Sequence, residues 1–218
     1  MFSTVLFDLD GTLTDPGEGI TNAVAYSLER YGFSVPEREC LYPFIGPPLR
    51  DSFMKYYGMD MVQADAATAT YREYFSTKGW QENIVYNGIE ELLDKLYRAG
   101  KRLIVATSKP EIFAIRILEH FGLSRYFDLI CGAPMQTPQG HGKADVIADA
   151  LTRAGVTDLC DVVMVGDRLH DVVGAHKVGI PAIGVLYGYG DREEHVSCGA
   201  DYIVEDVLRL DEVLFRES

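Results

Sequence analysis

No apolar run in the chain approaches the ~18 residues needed to cross a bilayer, so no membrane span is expected. Positive charge is scarce: 20 Lys and Arg stand against 33 Asp and Glu, a net charge of −13. Nucleic-acid backbone binding needs a basic surface, so this balance argues against a nucleic-acid partner. Cysteines number four, at Cys40, Cys131, Cys160 and Cys198, with wide spacing and no CxxC pair. They read as reduced intracellular thiols, neither a zinc site nor a disulfide frame. The five histidines show no ligand spacing. A basic N-terminal start and a cleavage site are also missing, so no signal peptide is expected and the expected location is cytoplasmic. Internal repeats and low-complexity segments are absent. What remains is a 218-residue chain, 47% hydrophobic and 24% charged. That is an ordinary soluble composition, long enough for one core domain with a sizeable insert.

The most informative segment is Asp8-Leu9-Asp10-Gly11-Thr12-Leu13-Thr14, directly after the apolar run Thr4-Val5-Leu6-Phe7. The run reads as a buried strand that ends at a turn. In extended chain, residues i and i+2 share a face, so Asp8 and Asp10 project together while Leu9 points away. Two carboxylates at the end of a core strand lose hydration and repel each other. A divalent metal would relieve the strain, leaving one carboxylate as nucleophile and the other as proton carrier. The plain alternative is a polar turn that happens to hold two aspartates.

Further motifs stand at matching places. A second apolar run, Arg102 to Ala106, ends in Thr107-Ser108 and is followed by Lys109-Pro110 and a helical pattern. Hydroxyls at a strand end before a helix suit an anion site, although Ser108 fits an ordinary helix cap equally well. A third run, Val162 to Val165, ends in Gly166-Asp167-Arg168-Leu169-His170-Asp171. Asp167 and Asp171 share a face if a helix begins there. Lys143 precedes the helical stretch Ala144 to Ala154. His141 and His170 lie beside these motifs and are expected to face solvent.

From about Asp15 to about Asn83 the sequence offers helical patterns and no convincing strand: Gly19 to Tyr31, a shorter one from Pro36, Leu49 to Gly58, and Met61 to Lys78. From about Val85 helix and strand alternate, with strands at Arg102–Thr107, Phe127–Cys131, Val162–Val165, Ala182–Leu186 and Tyr202–Val204. The interleaved helices are Gly88–Ala99, Ile112–Phe121, Ala144–Ala154 and Asp171–Val178, with a last short one near Leu208–Phe215. This alternation predicts an α/β fold, a doubly wound parallel sheet with helices on both faces. Ligands of such sheets bind outside the carboxyl ends of the strands, where Asp8, Thr107 and Asp167 fall.

Taken in order, the DxDGT block at Asp8 to Thr12, Thr107, Lys143 and the GDxxxD block at Gly166 to Asp171 resemble the four motifs of the haloacid dehalogenase superfamily, phosphoglycolate phosphatase-like branch. The resemblance runs over essentially the whole chain, including Gly188-Tyr189-Gly190 and Gly199 to Val204. It implies a catalytic core at 1–14 and 84–218 and an all-helical cap at 15–83, hinged near Asp15-Pro16-Gly17 and Gln81-Glu82-Asn83. It further implies a phosphatase acting on a small phosphorylated metabolite such as phosphoglycolate, a nucleoside monophosphate or a sugar phosphate. Asp8 would be the nucleophile and Asp10 the acid and base. Thr107 and Lys143 would hold the phosphoryl oxygens, with Ser108 a further substrate contact. Mg2+ would lie on Asp8, the Asp10 backbone carbonyl and Asp167, with Asp171 orienting a metal water or Lys143. In the cap, Gly46-Pro47-Pro48 resembles the loop that reads the leaving group, and Arg50 either grips a second anionic group or is a solvated helix-start residue.

With a net charge of −13, an anionic substrate must be drawn in by local cations: the metal, Lys143 and Arg50. The aromatics Tyr56, Tyr57, Tyr71, Tyr74, Phe75 and Trp80 are expected mostly in the cap core. The segments Gly188–Glu194 and 135–142 are expected to be loose loops. A monomer or weak homodimer is expected. A dehalogenase would need neither Asp10 nor Asp167, and a phosphonatase would need a cap lysine in an apolar setting, which neither Lys55 nor Lys78 has. A phosphosugar mutase of β-phosphoglucomutase type and a non-catalytic regulatory protein on the same fold are the remaining alternatives.

Overall fold

The computed structural model describes residues 2–135 and 142–216. The expected position of His141, and most of the expected loop 135–142, lie outside those residues. The chain divides into two compact units, Met1–Thr14 with Val85–Ser218, and Asp15–Ile84.

The first unit is built on a six-stranded sheet of order β5-β4-β1-β6-β7-β8. Its strands are β1 (Thr4–Phe7), β4 (Arg102–Pro110), β5 (Leu129–Ala133), β6 (Val162–Gly166), β7 (Ala182–Val185) and β8 (Tyr202–Val204). Every adjacent pair is parallel. Two very short strands, β2 (Thr14–Asp15) and β3 (Ile84–Val85), form a separate pair. The sequence pattern contained no signal for them because two-residue strands show no period.

Parallel strands need crossovers, and helices supply them. They are α4 (Ile89–Arg98), α5 (Glu111–His120), α6 (Lys143–Arg153) and α7 (Leu169–Val178). In α4, Ile89, Leu92, Leu93 and Leu96 recur at helical spacing and all are buried, the pattern of a helix laid on a sheet. Leu6, Ile104 and Met164 of the three central strands pack with Val146, Ile147, Val172 and Ala175 in one core. The doubly wound class expected from the alternation is thus the observed one, with strand ends displaced by up to three residues.

Two differences have local causes. Gly188–Glu194 is not loose throughout: α8 (Arg192–Ser197) begins in it, capped by Asp191, whose side chain accepts from Glu194 N at 2.8 Å. The chain closes with α9 (Val207–Phe215), capped by Asp206. In the second unit the expected helix Met61–Lys78 stops early. There α1 is Gly17–Arg30, α2 Leu49–Tyr57 and α3 Met61–Tyr74, followed by a π turn at Phe75–Gly79. The backbones of Gly19 and Gly79 come close there, since a Cβ on Gly19 would lie 1.9 Å from the carbonyl oxygen of Gly79.

This helical unit has its own core. Phe44 meets Phe53 edge-on at 5.1 Å, and Tyr71 stacks on Phe75 at 5.5 Å. Of the aromatics expected there, Tyr71 and Phe75 are buried, Tyr57, Tyr74 and Trp80 half-buried, and Tyr56 exposed. Ser27 Oγ donates to the carbonyl of Ala67 at 2.8 Å, tying α1 to α3.

Leu6 is fully buried at the centre of the sheet. Leu6→Ala should therefore lower the unfolding free energy by about 2–5 kcal/mol, the usual cost of a core cavity. Urea denaturation followed by circular dichroism would read it, and a loss under about 1 kcal/mol would show that the sheet centre relaxes into the space.

Candidate active site

Strand order places the chemistry. β1 lies between β4 and β6, with Phe7 level with Val105 on one side and Val165 on the other. The residues that leave the carboxyl ends of these three strands therefore emerge side by side. Asp8 N donates to Val165 O at 2.9 Å, which extends the sheet ladder to the first aspartate. A tight turn follows, in which the Leu9 carbonyl accepts from the N–H groups of Leu13 and Thr14 at 2.9 and 3.0 Å. Leu9 is buried in the core, so Asp8 and Asp10 are left on the opposite side. Gly11 sits in this turn at φ +80°, and a Cβ there would fall 2.0 Å from an Asp167 carboxylate oxygen. Only glycine permits both the turn and that approach.

Asp8 Oδ1 lies 2.9 Å from Lys143 Nζ, and Asp171 Oδ1 lies 2.6 Å from the same nitrogen. The Lys143 side chain is 3% exposed. It is the first residue of α6 and stands inside the site. Asp8, Asp167 and Asp171 each bring one carboxylate oxygen within 4.8 Å of the others. Asp167 precedes α7 and does not share a helix face with Asp171. The two converge across the bend at residues 167–168, where Asp171 also accepts from Arg168 N at 3.1 Å. Asp167 Oδ2 accepts from Tyr189 N at 2.8 Å. Its Oδ1 is buried without a hydrogen-bond partner among the described residues.

Burial pushes the Asp167 carboxyl well above the usual range, and the charges of Asp171 and Asp8 push it further. Burial raises Asp171 too, against the pull of Lys143. Asp10 is likewise raised by burial, opposed by a second ammonium, that of Lys109. For Lys143, burial favours the neutral form, but Asp171 and Asp8 outweigh it and the pKa stands above the ordinary value.

Lys109 was not among the residues singled out from sequence. Its Nζ lies 2.6 Å from Asp10 Oδ2, and its side chain is 5% exposed. A signal existed: Lys109 follows Thr107 by two residues in an extended segment, which puts both on one face. Thr107 is buried, and its Oγ1 accepts from Lys109 N at 3.2 Å. Ser108 is exposed. It does not cap α5, because β4 runs on to Pro110, which occupies the cap position with no side-chain bond. Arg50, at the start of α2, is half-exposed and paired with Asp65 within the helical unit. Gly46 turns the chain at φ +101° ahead of Pro47. Lys55 and Lys78 are both exposed, and so is His170, as expected.

Taken together, a doubly wound sheet with four acidic groups and two buried ammonium groups at its carboxyl edge is the frame of a hydrolase acting on an anionic centre. Residues 5–185 match the family described as haloacid dehalogenase-like hydrolase, and the chain belongs to that family. It is similar to a 5'-nucleotidase of Pseudomonas aeruginosa, 42% identical over 98% of this chain and 96% of that protein. The tyrosine-protein kinase PtkA of Mycobacterium tuberculosis is 40% identical over 96% of this chain and 70% of its own length. Among solved structures, a predicted phosphatase from Clostridium acetobutylicum superposes with a TM-score of 0.93, at 47% identity over 98% of both chains. The chain is a phosphatase of this family. No helix among the described residues is long and apolar enough to cross a membrane.

The pKa directions generate a stability prediction. A carboxyl whose folded pKa is raised favours the protonated native state, so its contribution to stability is present below the unfolded value of about 4 and is lost as pH rises through the folded value. Asp167→Asn keeps an acceptor for Tyr189 N and removes the charge. At pH 7 without divalent cations it should raise the unfolding free energy by about 1–2 kcal/mol, with the gain vanishing near pH 4. Melting curves across pH would show this, and equal or lower stability of the variant at pH 7 would contradict it.

Proposed function

We propose that the protein is a Mg2+-dependent phosphatase that hydrolyses a small phosphorylated metabolite through an aspartyl phosphate on Asp8. Phosphoglycolate, a nucleoside monophosphate and a sugar phosphate are the candidate substrates. The observation that carries this reading is the position of Asp8. It stands at the end of the central strand, 2.9 Å from a buried ammonium and within 4.8 Å of two further carboxylates. A carboxylate becomes a competent nucleophile toward phosphorus once cations screen it from the phosphoryl oxygens.

In this reading Asp8 attacks phosphorus in line. Asp10 gives a proton to the departing alkoxide, then takes one from the water that hydrolyses the intermediate. Both jobs suit one carboxyl group, because the two half-reactions move the proton in opposite directions. Lys143 and the Thr107 hydroxyl hold the phosphoryl oxygens where charge accumulates, and Asp171 orients Lys143. The acidic cluster fits a divalent cation: three carboxylate oxygens converge, and the buried Asp167 Oδ1 has no hydrogen-bond partner among the described residues. Asp8, Asp167 and the Asp10 backbone carbonyl would hold Mg2+, which when bound neutralises phosphoryl charge. Ser108, Gly46 and Arg50 remain in the reading as contacts to the rest of the substrate. The substrate is small, and a cytoplasmic setting accords with four cysteines that are all free.

Asp8→Asn is nearly isosteric and cannot attack phosphorus. It should retain the fold by circular dichroism and release phosphate at less than about a hundredth of the wild-type rate. Substantial residual turnover would remove Asp8 from the nucleophile's role.

Chelation gives an independent test. EDTA should abolish phosphate release and Mg2+ restore it, while Ca2+, with its larger and looser coordination, should restore little. Asp167→Ala should raise the Mg2+ concentration required for half-maximal rate. Full activity in EDTA would mean that the acidic cluster does not serve a metal.

A further inference from the structure

Two buried lysines divide three of the four carboxylates of the site. Lys143 takes Asp8 and Asp171, at 2.9 and 2.6 Å. Lys109 takes Asp10, at 2.6 Å. We propose that Lys109 is a positioning residue for the proton carrier: it anchors one oxygen of Asp10 so that the other is presented to the leaving group and, later, to water. The proposal rests on the phosphoryl-transfer reading above and assigns a part of it to a residue outside the four motifs.

The geometry has three elements. Asp10 Oδ2 is held by the ammonium, whereas Oδ1 is buried and has no hydrogen-bond partner among the described residues. An ammonium offers three donors and no acceptor, so it binds most strongly an oxygen that carries no proton. With Oδ2 held in that role, a proton on the carboxyl is favoured on Oδ1. Lys109 thereby biases which oxygen carries the proton as well as where the carboxyl points. The lysine is itself held. Its N–H donates to the Thr107 hydroxyl at 3.2 Å, and the ladder between β4 and β5 shifts register between Thr107 and Pro110. Its side chain is as thoroughly buried as that of Lys143.

Proton and bonds balance over the cycle. As the bond from Asp8 to phosphorus forms and the bond to the leaving oxygen breaks, Asp10 Oδ1 gives its proton to that oxygen. As water attacks phosphorus and the acyl-phosphate bond breaks, Oδ1 takes the water's proton back. Lys109 exchanges no proton in either step.

The test uses the full-length enzyme with Mg2+ and compares two substrates through kcat/KM, which covers events only to the first irreversible transfer. An alkyl phosphomonoester needs a proton on its leaving oxygen, whereas p-nitrophenolate leaves without one. Lys109→Met should lower kcat/KM for the alkyl ester about a hundredfold, the scale of general acid catalysis, and that for p-nitrophenyl phosphate by less than about tenfold. Equal losses on both substrates would overturn the proposal, because they would place the ammonium on the transferring phosphoryl group. Should the lone substitution fail to fold, the pair Asp10→Asn and Asp10→Asn/Lys109→Met decides, since the double variant removes both charges together. Equal kcat/KM of these two on the alkyl ester supports a role through Asp10, and a second large loss overturns it. Wild-type enzyme that releases phosphate from neither substrate would instead overturn the phosphatase reading itself.

Discussion

The ion pairing of buried carboxylates with two buried lysines is the interaction on which the rest of the structure depends. Asp8, Asp10, Asp167 and Asp171 would repel one another at the edge of a sheet that has little water to shield them. Lys143 and Lys109 offset part of this, and the offset requires elements far apart in sequence. Lys143 comes from the start of α6, Lys109 from the end of β4, and the four carboxylates from the exits of β1 and β6 and the first turn of α7. Breaking one partner of such a pair leaves a bare buried charge, which is far more costly than never having built the pair. The sheet order, with β1 between β4 and β6, is the arrangement that lets all of these groups meet.

Supporting contacts from other segments hold the cluster in place. Tyr189 N fixes one oxygen of Asp167. Tyr187 O–H donates to the Thr12 carbonyl at 3.1 Å, and its ring meets Tyr86 edge-on at 5.0 Å, which ties the segment after β7 to the turn after β1. Glu194, from α8, accepts from Leu169 N at 2.7 Å and pairs with Arg168 at 2.9 Å. A carboxylate thus sits at the amino end of α7, where the helix dipole favours it. These three residues were not readable as supports, because each acts through a backbone group or through a side chain of ordinary type in what looks like a loop.

The fold class was legible because it rests on period and order: apolar runs of strand length alternating with helical stretches allow little but a parallel sheet. Asp8, Asp10, Asp167 and Lys143 were legible as candidates because charged residues at strand and helix ends repeat through the chain. The meeting of Asp167 with Asp171 was expected on the wrong ground, a shared helix face, and arises instead from a bend before α7. Lys109 was missed because a lysine after a strand ordinarily faces solvent. Its burial is a tertiary fact, set by the position of Asp10, 99 residues away in sequence. The π turn after α3 was not legible either, and the close approach of Gly19 to Gly79 beside it is invisible to a local window.

The central place of β1 also bears on how the chain reaches its native state. Its two neighbours are β4 and β6, so the strand that ends at Asp8 gains its ladder from segments about one hundred and one hundred and sixty residues downstream. Contacts of such sequence separation are the slow ones to form, because loop-closure entropy must be met before they give anything back. During synthesis the largely apolar segment 4–7 waits for β4, and it lacks its second neighbour until β6 has been made. Its exposure in that interval is a hazard for edge-to-edge association with other chains. Recovery of phosphatase activity on refolding therefore waits on the strand pairing of greatest sequence separation, and it should lag behind the return of helical signal from segments such as α4.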